Sequence, residues 1–451
     1  VLVGLLKSTT AFNPKRNPER SKQRRNTVLA QMVKYGYLTE ANFDKLRKQP
    51  IGELIRNYSV ENHKSGMATY FRSVLQKQLQ RWCRENGYDL YRDGLRIYTT
   101  IDSRMQAHAE AAMSEWMKQL QNKFDAHWRG RNPWIDEDGN EIKNFIDRAA
   151  RRTPHFRELQ EAGLGEEDIW KEMNKEVPMR VFSWKGERDT TMSPLDSIRY
   201  YKRFLQSGLM AMEPTTGDVK AWVGGIDFKY FQYDHVKDGR RQPGSSFKPI
   251  VYATAIDNGF SPCFTVVDAP VTFAKDVGGK PWTPKNADGP PSGRQFTLRQ
   301  AMGRSINTVS AFLVKTLTPG KVVDYAQRLG ISSPLESVPS IALGTQDVSI
   351  YDLLGVYSTF ANGGVWNEPR YITRIEDKNG NLIWEPVYRD REVLNEETAY
   401  LMTYMLQGAV QERGGTAMGL RRYKLAKCLP HIGAKTGTTQ NYSDGWFMGM
   451  M

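Results

Sequence analysis

Ser245 stands three residues before Lys248 in the stretch Gln242-Pro243-Gly244-Ser245-Ser246-Phe247-Lys248-Pro249. Residues three apart share a helix face and residues two apart do not, so Ser245, rather than Ser246, meets Lys248. A serine hydroxyl beside an amine that can take its proton is a nucleophile–base pair, the beginning of acyl-transfer chemistry. The same spacing also describes a capping Ser next to a solvated Lys. Two later stretches bear on the choice. Ser305-Ile306-Asn307 precedes an apolar run over 309–317, and Lys435-Thr436-Gly437-Thr438 precedes the strand-like Trp446-Phe447-Met448. At ordinary residue frequencies a Ser-x-Asn arises about once by chance in such a chain and a Lys-Thr-Gly roughly once in ten such chains. Each is weak alone, and only their combination and order carry weight.

The elements that must hold these residues can be read from their neighbours. Pro243-Gly244 breaks whatever comes before, and Pro249 is tolerated only where its missing N–H is one of the unpaired donors of a first helical turn. A helix therefore starts near Ser245, runs through the apolar 250–256 and stops at Asp257-Asn258-Gly259. Before it, 209–225 reads as a strand, a turn at Thr216-Gly217 and a return strand, an antiparallel hairpin. Further upstream, 94–102 alternates with β-branched residues and predicts a strand, with Asp102 or Ser103 capping the next helix. Strands followed by helices around a candidate nucleophile point to an α+β fold rather than to alternating βαβ units.

The chain has 451 residues, a net charge of +13 and 39% hydrophobic residues, enough for two or three domains with true cores. Its basic excess is densest at Lys15, Arg16, Arg20, Lys22, Arg24 and Arg25. That cluster suits an anionic membrane surface or polyanion, or equally a solvated helix face; no nucleic-acid module accompanies it. Three cysteines without paired spacing indicate neither a disulfide framework nor a zinc site, and read as small core residues. Six scattered His add no ligand pair, so no metal is expected. Val1 to Leu6 is far shorter than the roughly 20 apolar residues of a spanning helix.

Four segments follow from these patterns: a helical 1–56, a linking 57–104 with one strand, a helical insertion over 105–203, and a main unit over 204–451. The insertion is rich in charge and in Trp (Trp116, Trp128, Trp134, Trp170, Trp184). Its cluster Asp136-Glu137-Asp138-Gly139-Asn140 lacks the spacing and closing Glu of a calcium loop and reads as a surface turn.

In the order Ser-x-x-Lys, Ser-x-Asn, Lys-Thr-Gly, the three motifs resemble the signature of penicillin-binding proteins and serine β-lactamases. The phrases at 94–102, 213–217, 241–249, 360–364 and 435–439 resemble class A penicillin-binding proteins, the bifunctional peptidoglycan synthases. The run from Asn17-Pro18-Glu19-Arg20 to Val28-Leu29 resembles the last part of their glycosyltransferase domain. The chain then reads as a fragment: a glycosyltransferase remnant, a linker, and a transpeptidase domain of antiparallel sheet flanked by helices, cut near its C-terminal end.

The resemblance implies roles. Ser245 is the nucleophile and Lys248 its base; Ser305 bridges Lys248 and Lys435 as a proton relay. Asn307 bonds the peptide amide of the substrate. Thr436, Gly437 and Thr438 line the substrate strand, the two threonines holding a terminal carboxylate with Lys435 behind. Backbone N–H groups of Ser245 and Thr438 form an oxyanion hole, each donor worth ~3 kcal/mol of barrier. Holding Lys248 neutral means lowering it by about three units from ~10.4, some 4 kcal/mol, which desolvation and a nearby cation supply together. The implied reaction is cross-linking of D-Ala-D-Ala stem peptides to a second stem's amine, with β-lactams as covalent traps and no cofactor. Lipid II polymerisation belongs to upstream sequence; Arg24 and Arg25 are candidate contacts to that lipid-linked substrate. The implied location is the outer face of a bacterial cytoplasmic membrane, anchored by an upstream helix.

Two other readings remain. A serine β-lactamase needs a carboxylate to drive water onto the acyl-enzyme; no Glu-x-x-x-Asn lies between Asn307 and Lys435, and Glu336 sits in a Pro-containing turn. A non-catalytic wall-binding or scaffold module would keep the fold with an inert site. Ala434, where the family usually has Gly, predicts crowding of the strand.

Overall fold

The computed structural model describes residues 2–8, 10–14, 17–51, 66–136, 138–275, 279–423, 425, 427–439 and 442–451. Lys15 and Arg16 of the basic cluster, Glu137 of the turn cluster and the expected boundary at 56/57 lie outside them. The chain forms two units, Val1–Gly66 and Met67–Met451.

In the first unit the helices Pro18–Lys34 and Glu40–Lys48 are joined by a turn. Pro18 occupies the first turn, where its lack of an N–H costs nothing. Thr39 caps the second helix by accepting from Asn42 N. Arg25 closes that helix at its other end, donating to the carbonyls of Arg47 and Gln49 at 2.9 and 2.7 Å. Its guanidinium thus works as a C-terminal cap, a good partner for the last carbonyls of a helix. Arg24 lies over the Phe12 ring, 5.8 Å from its centroid.

The second unit is α+β, as the motif order led one to expect. The strand Arg96–Thr99 pairs antiparallel with Ile372–Glu376, which carries Leu382–Trp384 on its other edge. Asp102 caps the helix Ser103–His127, accepting from Arg104 N and Met105 N. The predicted hairpin is present as Leu209–Met212 and Val219–Val223, in antiparallel register. Gln106, fully buried, completes its outer edge: the side-chain amide accepts from Trp222 N and donates to Trp222 O.

The stretch 105–203 is not helical throughout. Besides four further helices it contains an antiparallel ribbon, Val177–Val181 with Arg188–Met192. The first strand does alternate, Val177-Met179-Val181, but it is only five residues long and interrupted by Pro178, and its partner Arg188–Met192 is polar up to Met192, which is why the charge-rich stretch around them reads as helical. The Asp136 turn is as expected on the surface, its carboxylate accepting from Asp138 N and Asn140 N. The cysteines differ from expectation: Cys83 is buried, but Cys263 is exposed and Cys428 half-buried. Cys263 lies in a turn, whereas Cys428 packs against the apolar cluster of Ala409, Val410 and Ala434. Among the described residues, no helix is long and apolar enough to cross a membrane.

The main core surrounds one helix. Lys248–Asp257 is buried from Lys248 through Ile256, so it is apolar all round, as a central helix must be. It packs against Asn307–Leu317, Pro319–Arg328 and Glu396–Gln411. Phe247, Ile250, Val251, Leu313, Val356 and Met402 are among its buried contacts.

Candidate active site

The serine motif enters this helix through a tighter turn. Gly244–Phe247 is a 3₁₀ turn that continues directly into the α-helix at Lys248, with Pro249 in its first turn. Residues i and i+3 eclipse in 3₁₀ geometry, so Ser245 and Lys248 lie above one another. Gly244 takes φ +54°, and any side chain there would meet Thr438 O at 2.5 Å. The turn is held from three sides. Gly244 N donates to Gly344 O, Tyr357 Oη donates to Ser246 O at 2.9 Å, and Gly437 lies against Pro243 O.

Ser305 is placed by the end of a short helix. Leu298–Arg304 begins with a capping box of Thr297 and Gln300 and ends where Ser305 enters the left-handed region at φ 63°. A non-glycine there costs on the order of 1–2 kcal/mol, and such strain tends to collect at functional sites. The helix can approach its neighbour closely because Gly303 faces Gly408, whose backbone would be 2.8 Å from a Cβ. The next helix, Asn307–Leu317, starts with Asn307 in its first turn.

Lys435 lies inside a strand, Gly433–Thr438, paired with Gly445–Met450. Alternation sends Lys435 and Gly437 to one face and Thr436 and Thr438 to the other. Lys435 is buried completely, Thr436 is half-buried and Thr438 is exposed. Ala434 is also fully buried, and its methyl packs with Ala409, Val410, Ala417 and Ile432.

These elements bring Lys248, Ser305, Asn307 and Lys435 together. Lys248 Nζ donates to Ser305 O at 2.7 Å and to Asn307 Oδ1 at 2.6 Å, and lies 3.2 Å from Ser305 Oγ. Lys435 Nζ donates to the same Ser305 Oγ at 2.9 Å and to Thr436 O at 2.9 Å. One hydroxyl therefore spans two fully buried amines. Ser245, half-buried, lies on the turn above, and among the described residues its Oγ makes no hydrogen bond to Lys248. Catalytic bonds often tighten only when substrate arrives.

Two buried ammonium groups this close are costly, since burial and like charge both favour the neutral amine. Burial first, and the Lys435 charge second, push Lys248 well below its ordinary value. Burial pushes Lys435 down to about 7. A neutral Lys248 keeps two N–H bonds for the two carbonyl oxygens and a lone pair toward hydroxyls. The arrangement can pass a proton between a serine, two amines and a leaving group.

The three-motif reading passed over several supports. Asn286 accepts from Asn307 N, the Lys285 carbonyl accepts from Asn307 Nδ2, and Arg241 forms a two-pronged ion pair with Asp444. Asn286 falls in Pro284-Lys285-Asn286-Ala287-Asp288-Gly289, which signals only a turn. Arg24 and Arg25 belong to the first unit and are described there.

A scan of protein families finds "Penicillin-binding protein middle domain" at residues 129–205 and "Penicillin binding protein transpeptidase domain" at residues 207–451. The first covers much of the stretch set apart as an insertion. Among solved structures, penicillin-binding protein 1A from Haemophilus influenzae aligns with a TM-score of 0.69 at 22% identity, over 99% of this chain and 73% of that one; it shares the fold. The transpeptidase match spans more than half of the sequence, and the chain belongs to the penicillin-binding protein transpeptidase family. Its curated relatives include penicillin-binding protein 1A of Neisseria gonorrhoeae, 31% identical over 497 residues, and that of Aquifex aeolicus, 29% identical over 461. Each alignment covers 100% of this chain; the chain spans 58% and 60% of those relatives' lengths.

Proposed function

We propose that the chain is the transpeptidase part of a peptidoglycan synthase, working through a Ser245 acyl-enzyme. The observation that carries this reading is the single Ser305 hydroxyl within hydrogen-bond reach of both buried amines, Lys248 and Lys435. Ser245 Oγ attacks the carbonyl carbon of the D-Ala-D-Ala bond while its proton passes to the neutral Lys248. The C–N bond breaks, and Ser305 relays a proton from the lysine pair to the departing D-Ala amine. An amine of a second stem peptide then attacks the ester, releasing Ser245 and leaving the cross-link. Protein groups account for each proton, so the step calls for no cofactor. The backbone N–H groups of Ser245 and Thr438 would bind the oxyanion, and by the family resemblance Thr436 and Thr438 would hold the donor's carboxylate.

In the complete protein, by similarity to penicillin-binding proteins 1A, we assign lipid II polymerisation to a separate domain and place the enzyme on the outer face of the cytoplasmic membrane. Arg24 and Arg25 are weaker candidates for lipid-linked substrate there, since Arg25 is occupied as a helix cap.

The test is mass spectrometry of the chain after exposure to penicillin. A stable adduct on the Ser245 peptide, absent in Ser245→Ala, is expected. No adduct in the folded chain overturns the reading in favour of an inert module; an adduct that hydrolyses within seconds overturns it in favour of a β-lactamase.

A further inference from the structure

Asp268 follows the strand Thr265–Val267, outside all three motifs in sequence, and is only 2% exposed. Its carboxylate collects four donors. Oδ1 accepts from Asn286 Nδ2 at 2.8 Å and Thr308 Oγ1 at 2.5 Å, and Oδ2 accepts from Ser292 N and Ser292 Oγ, both at 2.7 Å. Burial works against the anion, but these bonds outweigh it and hold the carboxyl below its usual range. A buried carboxylate fully occupied by neutral donors is a rigid anchor, since removing any one bond leaves a desolvated charge short of a partner.

What the anchor fixes is the start of the Asn307 helix. Asn286 Oδ1 accepts from Asn307 N at 2.9 Å and Thr308 N at 3.3 Å, the first N–H groups of Asn307–Leu317. The residue before the helix, Ile306, makes no side-chain cap of its own. Asn286 therefore supplies the cap from a loop more than twenty residues upstream. Thr308 Oγ1 pins the same turn to Asp268, and the Lys285 carbonyl accepts from Asn307 Nδ2 at 2.7 Å. That last bond fixes the flip of the Asn307 amide, so its Oδ1 faces Lys248 Nζ at 2.6 Å.

We infer that Asp268, Asn286 and Thr308 form a clamp that positions Asn307 and, through it, the amine of Lys248. They are positioning residues, none of them touching the reacting atoms. The clamp deepens the transpeptidase reading and rests on it for its kinetic consequence. Lys248 is faced by Ser245 on its own turn, Ser305 from the Leu298–Arg304 end, Asn307 from the next helix and Lys435 from the strand; Lys435 is the charge acting on it. Asp268 reaches Lys248 only through the clamp and Asn307. Loosening the clamp withdraws the Asn307 acceptor from Lys248, which disfavours the ammonium and lowers its pKa further.

The experiment compares the full chain with Thr308→Val, Thr308→Ser and Asn286→Ala. It reads the second-order rate of acylation by a fluorescent penicillin and, independently, the titration of Lys248 Nζ by ¹⁵N NMR. Thr308→Val keeps the shape of the side chain, and thermal unfolding verifies that each variant is folded. Expected are a ~10- to 100-fold slower acylation in Thr308→Val and Asn286→Ala, the scale of a misplaced catalytic group. The Lys248 titration moves to lower pH in both, and Thr308→Ser restores rate and titration. Unchanged Lys248 titration in Thr308→Val and Asn286→Ala overturns the clamp, whether the rates fall or not. If the parent chain is not acylated, the transpeptidase reading fails, and the titration alone still supports or overturns the clamp.

Discussion

Lys248 Nζ donates to Asn307 Oδ1 at 2.6 Å, joining the candidate base and the last residue of the Ser-x-Asn motif in one hydrogen bond. The base therefore depends on an amide that is itself held by a neighbouring loop. An anion in place of that amide would favour the ammonium. Asn307→Asp is expected to raise the Lys248 pKa by about 1–3 units, slow acylation at neutral pH and move the acid limb of the rate profile upward. Stopped-flow penicillin acylation between pH 5 and 9 measures it; an acid limb that stays in place contradicts the pairing.

The strand lysine is expected to set the other limb. Burial holds Lys435 at about 7, so in the free enzyme its charge is lost as pH rises through that value. Acylation by a carboxylate-bearing β-lactam should fall on the alkaline side with an apparent pKa near 7, a value belonging to the coupled pair of lysines. Lys435→Arg keeps the charge and should remove the alkaline limb while lowering the maximum rate. A parent profile flat from pH 7 to 9 would count against it.

The same burial makes stability depend on pH. Both lysines have lowered pKa values in the fold, so the unfolded chain binds more protons and stability increases with pH. For Lys435 the window runs from about 7 to the unfolded value near 10.4: its contribution is complete above that window and lost as pH falls through about 7. Denaturant titrations at pH 6.5 and 9 should show Lys435→Met less dependent on pH than the parent. Equal dependence would refute the assignment.

Gly437 has no room for a side chain. A Cβ there would lie 2.2 Å from Pro243 O and 2.5 Å from Ser246 Oγ. Gly437→Ala should push the strand off the serine turn, costing ~1–3 kcal/mol of stability as overpacking does and slowing acylation at least tenfold. Both are read from chemical denaturation and adduct formation; a fully active Gly437→Ala would show the contact to be soft.

Tyr357 holds the turn from beneath. Its hydroxyl donates to Ser246 O at 2.9 Å in full burial. Tyr357→Phe leaves that carbonyl unpaired, at a cost of ~1–3 kcal/mol, with no change in the acid limb because no titrating group near Lys248 is altered. Denaturation and the acylation profile together separate the two effects.

Much of the site was legible because its residues fall in short runs. Ser245 and Lys248 share a turn, Ser305 and Asn307 flank a helix start, and Lys435 begins a three-residue motif on a strand. Local spacing reports such geometry directly, as it did for the 209–223 hairpin and the Asp102 cap. The ribbon at 177–192 is hard to see in the sequence because its one alternating strand, Val177-Met179-Val181, is short, holds Pro178 and pairs with the polar Arg188–Met192, and Cys263 lies outside the core because composition says nothing of where a turn lies.

The sequence by itself determined which groups could do the chemistry, the α+β class and the buried helix behind Ser245, since these follow from residue type and period. Tertiary structure alone decided that one Ser305 hydroxyl spans two buried amines, that Ala434 packs into a buried apolar cluster, and that Asp268 and Asn286 stand behind Asn307. The hydrogen bonds among them join positions 21 to 130 residues apart. No local period encodes them; they exist only because burial of the surrounding core brings the segments together.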